Sequence, residues 1–140
     1  MAKFGTYLHT VTNDSDITSV GTAYNGAKFH SIQLKVAGGM EQQGQPYKNF
    51  LRSMIIKATS LAGGAAKVTF RICSTGAGDT CVVGDTEVAF DLGITTATEG
   101  SAQILFDDYP FFEEDDTVFV FYKVDAGTAT IDFTQINWSE

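Results

Sequence analysis

The sequence predicts an all-β protein: a two-sheet antiparallel sandwich, jelly-roll-like, with about eight strands. Three observations carry this expectation. Apolar and polar residues alternate over several short stretches, the period of a strand with one wet face. Gly, Thr and Ser punctuate those stretches, only 19% of the residues are charged, and no helical heptad appears. A chain of 140 residues that is 44% hydrophobic, with eleven Phe and five Tyr, has the apolar area to close one core without a metal or disulfide staple. No linker, repeat or low-complexity tract divides it, so residues 1–140 are read as one domain.

Each element follows from its pattern. Residues 1–12 carry Phe4, Tyr7, Leu8 and Val11 with weak periodicity ahead of Asn13-Asp14-Ser15-Asp16. Two readings stand there: an N-terminal arm that pairs with another chain, or an edge strand of its own sheet. Residues 29–36 place Ile32, Leu34 and Val36 on one face, and residues 50–61 run through Met54, Ile55 and Ile56, so both are expected to be strands. Between them, residues 37–49, rich in Gly and Gln with Pro46, read as a long surface loop bearing Met40 and Tyr47.

The second half is more regular. Val68, Phe70 and Ile72 alternate with Lys67, Thr69 and Arg71; Val88, Phe90 and Leu92 alternate with Glu87, Ala89 and Asp91; Ala102, Ile104 and Phe106 give a third case. Val118, Phe119, Val120, Phe121 and Tyr122 leave no polar face, which marks a central or covered strand. Asp125-Ala126-Gly127 supplies a tight turn, expected to make a hairpin with the last strand. There Ala129, Ile131 and Phe133 share a face before the apolar phase moves to Ile136 and Trp138, which predicts a β-bulge near Thr134 and Gln135.

Charge narrows the function. With a net charge of −8 and nine scattered Lys and Arg, a phosphate backbone has no electrostatic reason to bind, so no nucleic acid is expected. The longest apolar runs are too short to cross a bilayer, so no membrane is expected either. The N-terminal residues lack a signal peptide's apolar segment, which points to synthesis and use in the cytoplasm. Cys73 and Cys81 flank a loop of hairpin type; a bridge is within reach, but a cytoplasmic setting favours free thiols.

No constellation for catalysis emerges, so the chain is not read as an enzyme. His30 falls in register with Ile32 and Leu34, the place of a core-edge histidine held by a backbone partner, and His9 has no companion. No Gly-x-Ser-x-Gly, HExxH or Walker-type segment occurs, and Gly76-Ala77-Gly78 is a turn. The carboxylates at Asn13-Asp14-Ser15-Asp16 and Glu113-Glu114-Asp115-Asp116 lack the calcium-loop spacing and read as solvated connections. No cofactor or metal is expected. Tyr47, Tyr109, Phe112 and Trp138 could stack on sugar rings, against the plainer reading of core and rim packing.

From about residue 50 onward, and above all in Asp116-Thr117-Val118-Phe119-Val120-Phe121-Tyr122-Lys123-Val124-Asp125-Ala126-Gly127-Thr128-Ala129-Thr130 with the closing Ile136-Asn137-Trp138-Ser139-Glu140, the chain resembles the capsid decoration (cement) proteins of tailed bacteriophages. Gly/Thr-rich strands, a DAGT-type turn and a terminal strand ending in Trp-Ser-Glu carry the resemblance. It implies a non-enzymatic virion component, made in the host cytoplasm, that binds a major capsid protein or another virion protein on the outer capsid surface, often as a homotrimer. It transfers no catalytic residue. The partner-interface candidates are Phe4, Tyr7, Met40, Tyr47, Tyr109 and Phe112; the alternative is a carbohydrate- or receptor-binding module of a phage tail or fibre.

Overall fold

The computed structural model describes residues 8–34, 48–92, 98–113 and 117–139. Regular structure in them is all strand: β1 (Leu8–Asn13), β2 (Ile17–Val20), β3 (Phe29–Gln33), β4 (Lys48–Ala62), β5 (Lys67–Cys73), β6 (Cys81–Ala89), β7 (Asp91–Leu92), β8 (Gly100–Leu105), β9 (Phe111–Glu113), β10 (Thr117–Val124) and β11 (Thr128–Ser139). One sheet runs β1-β11-β4-β8-β7, with β2 also on β11 and β9 also on β4; the other runs β3-β10-β5-β6.

The order is that of a long hairpin rolled on itself. β1 and β2 lie end to end along β11 and act as one first strand. With β7 counted as a short extension of β8, and β9 as an addition to β4, the first strand pairs the last and β3 pairs β10. Continuing inward, β4 pairs β8 and β5 pairs β6. Nested antiparallel pairs divided between two sheets define a jelly roll, the expected architecture.

The core lies between the sheets. Val68, Phe70 and Ile72 on β5, Val118, Val120 and Tyr122 on β10, Leu51, Met54 and Ile56 on β4, and Ala102 and Ile104 on β8 are buried in the core, those of β5 and β8 in the phases read from the sequence. Bulges keep the long strands facing inward. Ser19 and Ser60 take a left-handed backbone (φ 56° and 51°), and each sits where an extra residue separates two inward side chains, Ile17 from Val20 and Ala58 from Leu61.

The β11 bulge lies earlier than Thr134 and Gln135. The register on β4 slips between Ile131 and Phe133, so Phe133 is not on the inward face and Thr134 is buried instead. The turn at residues 125–127 is also not a hairpin: β10 and β11 belong to different sheets, and the turn carries the chain across the sandwich. The Asp125 carboxylate accepts the amides of Ala66 and Lys67 at 2.9 Å each, and these bonds hold it below its ordinary pKa. Residues 8–13 form a strand on β11, and the remainder of the N-terminal segment, residues 1–7, lies outside the described residues.

Both faces of β10 are covered, each by different means. Its outward residues Phe119 and Phe121 pack with Phe29, ring centroids 5.6 and 5.2 Å apart, and the β5–β6 connection folds over them. A β-carbon built on Gly76 would lie 3.5 Å from the Phe119 ring, and one on Gly78 3.3 Å from that of Phe121. Arg71 stacks on Tyr24 at 4.2 Å and completes this second apolar cluster. Cys73 and Cys81 close the connection as a disulfide. The free-thiol expectation is overturned because the two residues stand directly opposite across the β5–β6 ladder.

Candidate functional site

The fold brings two groups of polar or exposed residues together, and they differ in what they can do. The first is internal. β3 turns His30 into the core, where Nε2 donates to the Ser15 carbonyl at 2.5 Å and Nδ1 faces Thr134 Oγ1 at 3.0 Å and Tyr122 Oη at 3.1 Å. Tyr122 and Thr134 are also hydrogen-bonded to each other. A carbonyl can only accept, so Nε2 carries a proton, and burial of the ring favours its neutral form, in which Nδ1 accepts a hydroxyl proton. Burial lowers the pKa of His30, opposed by the Ser15 bond and by Asp14 and Asp16; burial likewise raises that of Tyr122.

This network is sealed from solvent, so it serves the fold, as the backbone-held reading of His30 anticipated. It also sets a pH dependence. A histidine whose folded pKa lies below its unfolded value binds its proton more readily when unfolded, so its stabilisation is complete above about pH 6.5 and declines as the pH falls below that. Denaturant midpoints are expected to drop from about pH 7 to about pH 5, and His30→Gln, less stable at neutral pH, to flatten that drop. Equal slopes in the two proteins would refute it.

The second group is external. Phe106 and Phe112 turn inward at either end of residues 106–112 and are buried. The Phe106 amide bonds the Arg52 carbonyl at 3.0 Å and the Leu51 amide bonds the Pro110 carbonyl at 2.8 Å, which pins this excursion to β4. Pinning it pushes the remaining side chains out. Leu105 is 79% exposed, Tyr109 50% and Phe111 40%, and Val82 on β6 is 46% exposed; these are the exposed large hydrophobic residues among those described. Tyr109 has a positive φ of 47°, costly for a bulky residue, and Arg52 stacks on its ring at 4.3 Å.

Between β6 and this excursion the sandwich opens into a groove of about 540 Å³. Residues 82–86 line one side, and Ile104, Leu105, Phe106, Asp107, Asp108 and Pro110 the other. An apolar rim around an open groove suits contact with another macromolecule better than sequestration of a small molecule. No group of three or more His, Cys, Asp or Glu among the described residues is placed to hold a metal ion.

Of the residues proposed from sequence, Tyr109 stands at this corner. Phe112, next to the exposed Phe111, is 2% exposed and belongs to the core because the β9 alternation puts Phe111 outside and Phe112 inside. Phe4, Tyr7, Met40 and Tyr47 lie outside the described residues. Trp138 is buried beside His9, so neither it nor Phe112 can stack on a sugar ring. Sequence reasoning does not single out Leu105, Val82 or Phe111. Leu105 does carry a signal: the alternation of Ala102, Ile104 and Phe106 leaves it on the outward face, where an apolar residue needs a reason.

No protein-family model matches the sequence, and no curated protein matches it. Solved structures with similarity include the coat protein of tobacco streak virus (17% identity, TM-score 0.39, covering 100% of this chain and 90% of that one). The extra small virus of the giant freshwater prawn Macrobrachium rosenbergii, as a virus-like particle, gives 12% identity and a TM-score of 0.32 over 99% of this chain and 82% of that one. Particles derived from infectious bursal virus give 13% identity and a TM-score of 0.32 over 96% of this chain and 40% of that one.

Proposed function

We propose that the chain is a non-enzymatic virion structural protein that decorates and stabilises the outer surface of a phage capsid, docking on a major capsid protein through the corner formed by Val82, Leu105, Tyr109 and Phe111. The observation that carries this reading is that, of the exposed large apolar side chains, Val82 and Leu105 line one groove and Tyr109 and Phe111 flank its Pro110 in sequence. Burying such a cluster against a partner is favourable, whereas scattered exposed residues are not a docking surface. A homotrimer is part of the proposal, with Phe4, Tyr7, Met40 and Tyr47 as further contact candidates.

Co-sedimentation with emptied capsids of the virus that encodes the chain tests it. The wild-type chain is expected to pellet with them. Leu105→Ser combined with Tyr109→Asn is expected to weaken binding by about a hundredfold, within the range for loss of interface anchors. The melting temperature should stay within about 2 °C, because both side chains are exposed and Asn tolerates the left-handed backbone. Undiminished pelleting of the double variant would remove the corner from the interface.

A further inference from the structure

The corner has a second property besides its apolar rim: it opens along a free sheet edge. Among the described residues β6 ends the β3-β10-β5-β6 sheet and pairs with β5 alone. Its other side faces the groove. At the opposite end of the same sheet the edge is partly occupied, since Asn13 Nδ2 donates to the Ser31 carbonyl of β3 at 2.9 Å. Among the described residues β6 therefore presents a sheet edge along its nine residues, interrupted where the Thr86 hydroxyl donates to the Gly84 carbonyl at 3.0 Å, and such an edge is the template for an added strand.

The local geometry suits close approach. Opposite β5, Thr86 pairs Phe70 and Val83 pairs Ile72, so Gly84 and Asp85 together face the single residue Arg71 in a bulge. A β-carbon on Gly84 would meet nothing within 4 Å, leaving space for a neighbouring backbone. Val82 on β6 and Leu105 across the groove supply the apolar walls.

Charge selects the occupant. The groove lining includes Asp85, Asp107 and Asp108 and no Lys or Arg. The Tyr24 hydroxyl donates to Asp85 at 2.8 Å and fixes that carboxylate in place. A second copy of this chain, with a net charge of −8 and the same acidic edge, would bring like charges together on pairing through β6.

We infer that β6 and its groove bind an extended, cationic segment of a partner protein, one in which apolar residues alternate with Lys or Arg. The segment adds to β6 through main-chain hydrogen bonds. Its apolar side chains sit between Val82 and Leu105, and its cations lie over Asp107 and Asp108. This deepens, and rests on, the reading of the corner as a docking surface.

Titrating the isotope-labelled chain with a synthetic peptide of about eight residues, alternating Val or Leu with Lys, tests the inference by NMR. Amide shifts are expected at residues 82–86 and 105–108. The Asp107→Asn/Asp108→Asn variant should bind at least about tenfold more weakly, with the loss shrinking at high salt. A peptide with Glu in place of Lys should not bind. Shifts spread over other acidic surfaces, equal affinity for the Asn variant, or equal binding of the Glu peptide would each overturn it. Capsid binding separates the two levels: binding lost in Leu105→Ser/Tyr109→Asn but kept in Asp107→Asn/Asp108→Asn overturns the cationic segment and spares the docking corner. Binding kept in both overturns the corner itself.

Discussion

Replacing Gly127 with alanine is expected to cost about 3 kcal/mol or more and to lower the melting temperature by about 10 °C. Two independent penalties fall on this residue. Its φ of 64° lies in the left-handed region, which costs an alanine about 1 kcal/mol. The new β-carbon would also lie 1.9 Å from the Ala62 carbonyl oxygen, a separation no packing adjustment of a side chain can relieve because both partners are backbone. Gly63 presses on the same point: a β-carbon there would meet the Gly127 α-carbon at 2.8 Å. The two turns that carry the chain between sheets thus touch through glycines. Gly84→Ala is the control, since its β-carbon meets nothing, and calorimetry should find it near wild type. A Gly127→Ala protein melting within about 2 °C of wild type would show that the crossing turn is not packed as described.

The second large effect concerns the bridge between Cys73 and Cys81. Replacing both with serine is expected to lower stability by about 2–3 kcal/mol, the loop-closure entropy of so short a ring. The loss should be local in character. The connection it closes is held by the Ser74 amide bonding the Thr80 carbonyl at 2.8 Å and by the Thr75 hydroxyl bonding Asp79 at 2.5 Å, and it roofs Phe119 and Phe121. Hydrogen exchange should therefore quicken at residues 74–80 and across β10 while β4 and β11 keep their protection. Identical urea midpoints with and without reductant would contradict the roofing role. Because the bridge persists in oxidising surroundings, its contribution is greatest there.

How much of this is legible in the residues depends on whether hydropathy and position agree. On β5 and β8 they do, and the inward faces follow from alternation alone; the single strand read over residues 86–92 is instead divided, β6 ending at Ala89 and β7 pairing with β8 in the other sheet. On β11 they are inverted. Phe133 stands off the inward face while Thr134 goes inside to meet His30 and Tyr122, so apolar periodicity sets the bulge too late. The hairpin expected at Gly127 fails for a different reason: a left-handed glycine suits a tight return or a passage between sheets equally well. Only the distant pairing of β11 with β4 and β1 decides between them. The cysteines are a similar case, since their bridge depends on a strand register that their spacing does not specify. At the corner, aromatic character points to Tyr109, yet Phe112 shares that character and lies inside. Distinguishing them requires the phase of a three-residue strand.

The position of β11 has a consequence for when the protein can form. That strand is flanked by β1 and β2, whose residues lie more than a hundred positions earlier, on one side and by β4, more than sixty positions earlier, on the other. Until it leaves the ribosome, the sheet lacks the strand that joins β1 and β2 to β4, and those earlier strands have no stable arrangement to adopt. Acquisition of structure should therefore be slow, in milliseconds to seconds, with the nascent polypeptide exposing its unpaired edges to chaperones until β11 is made.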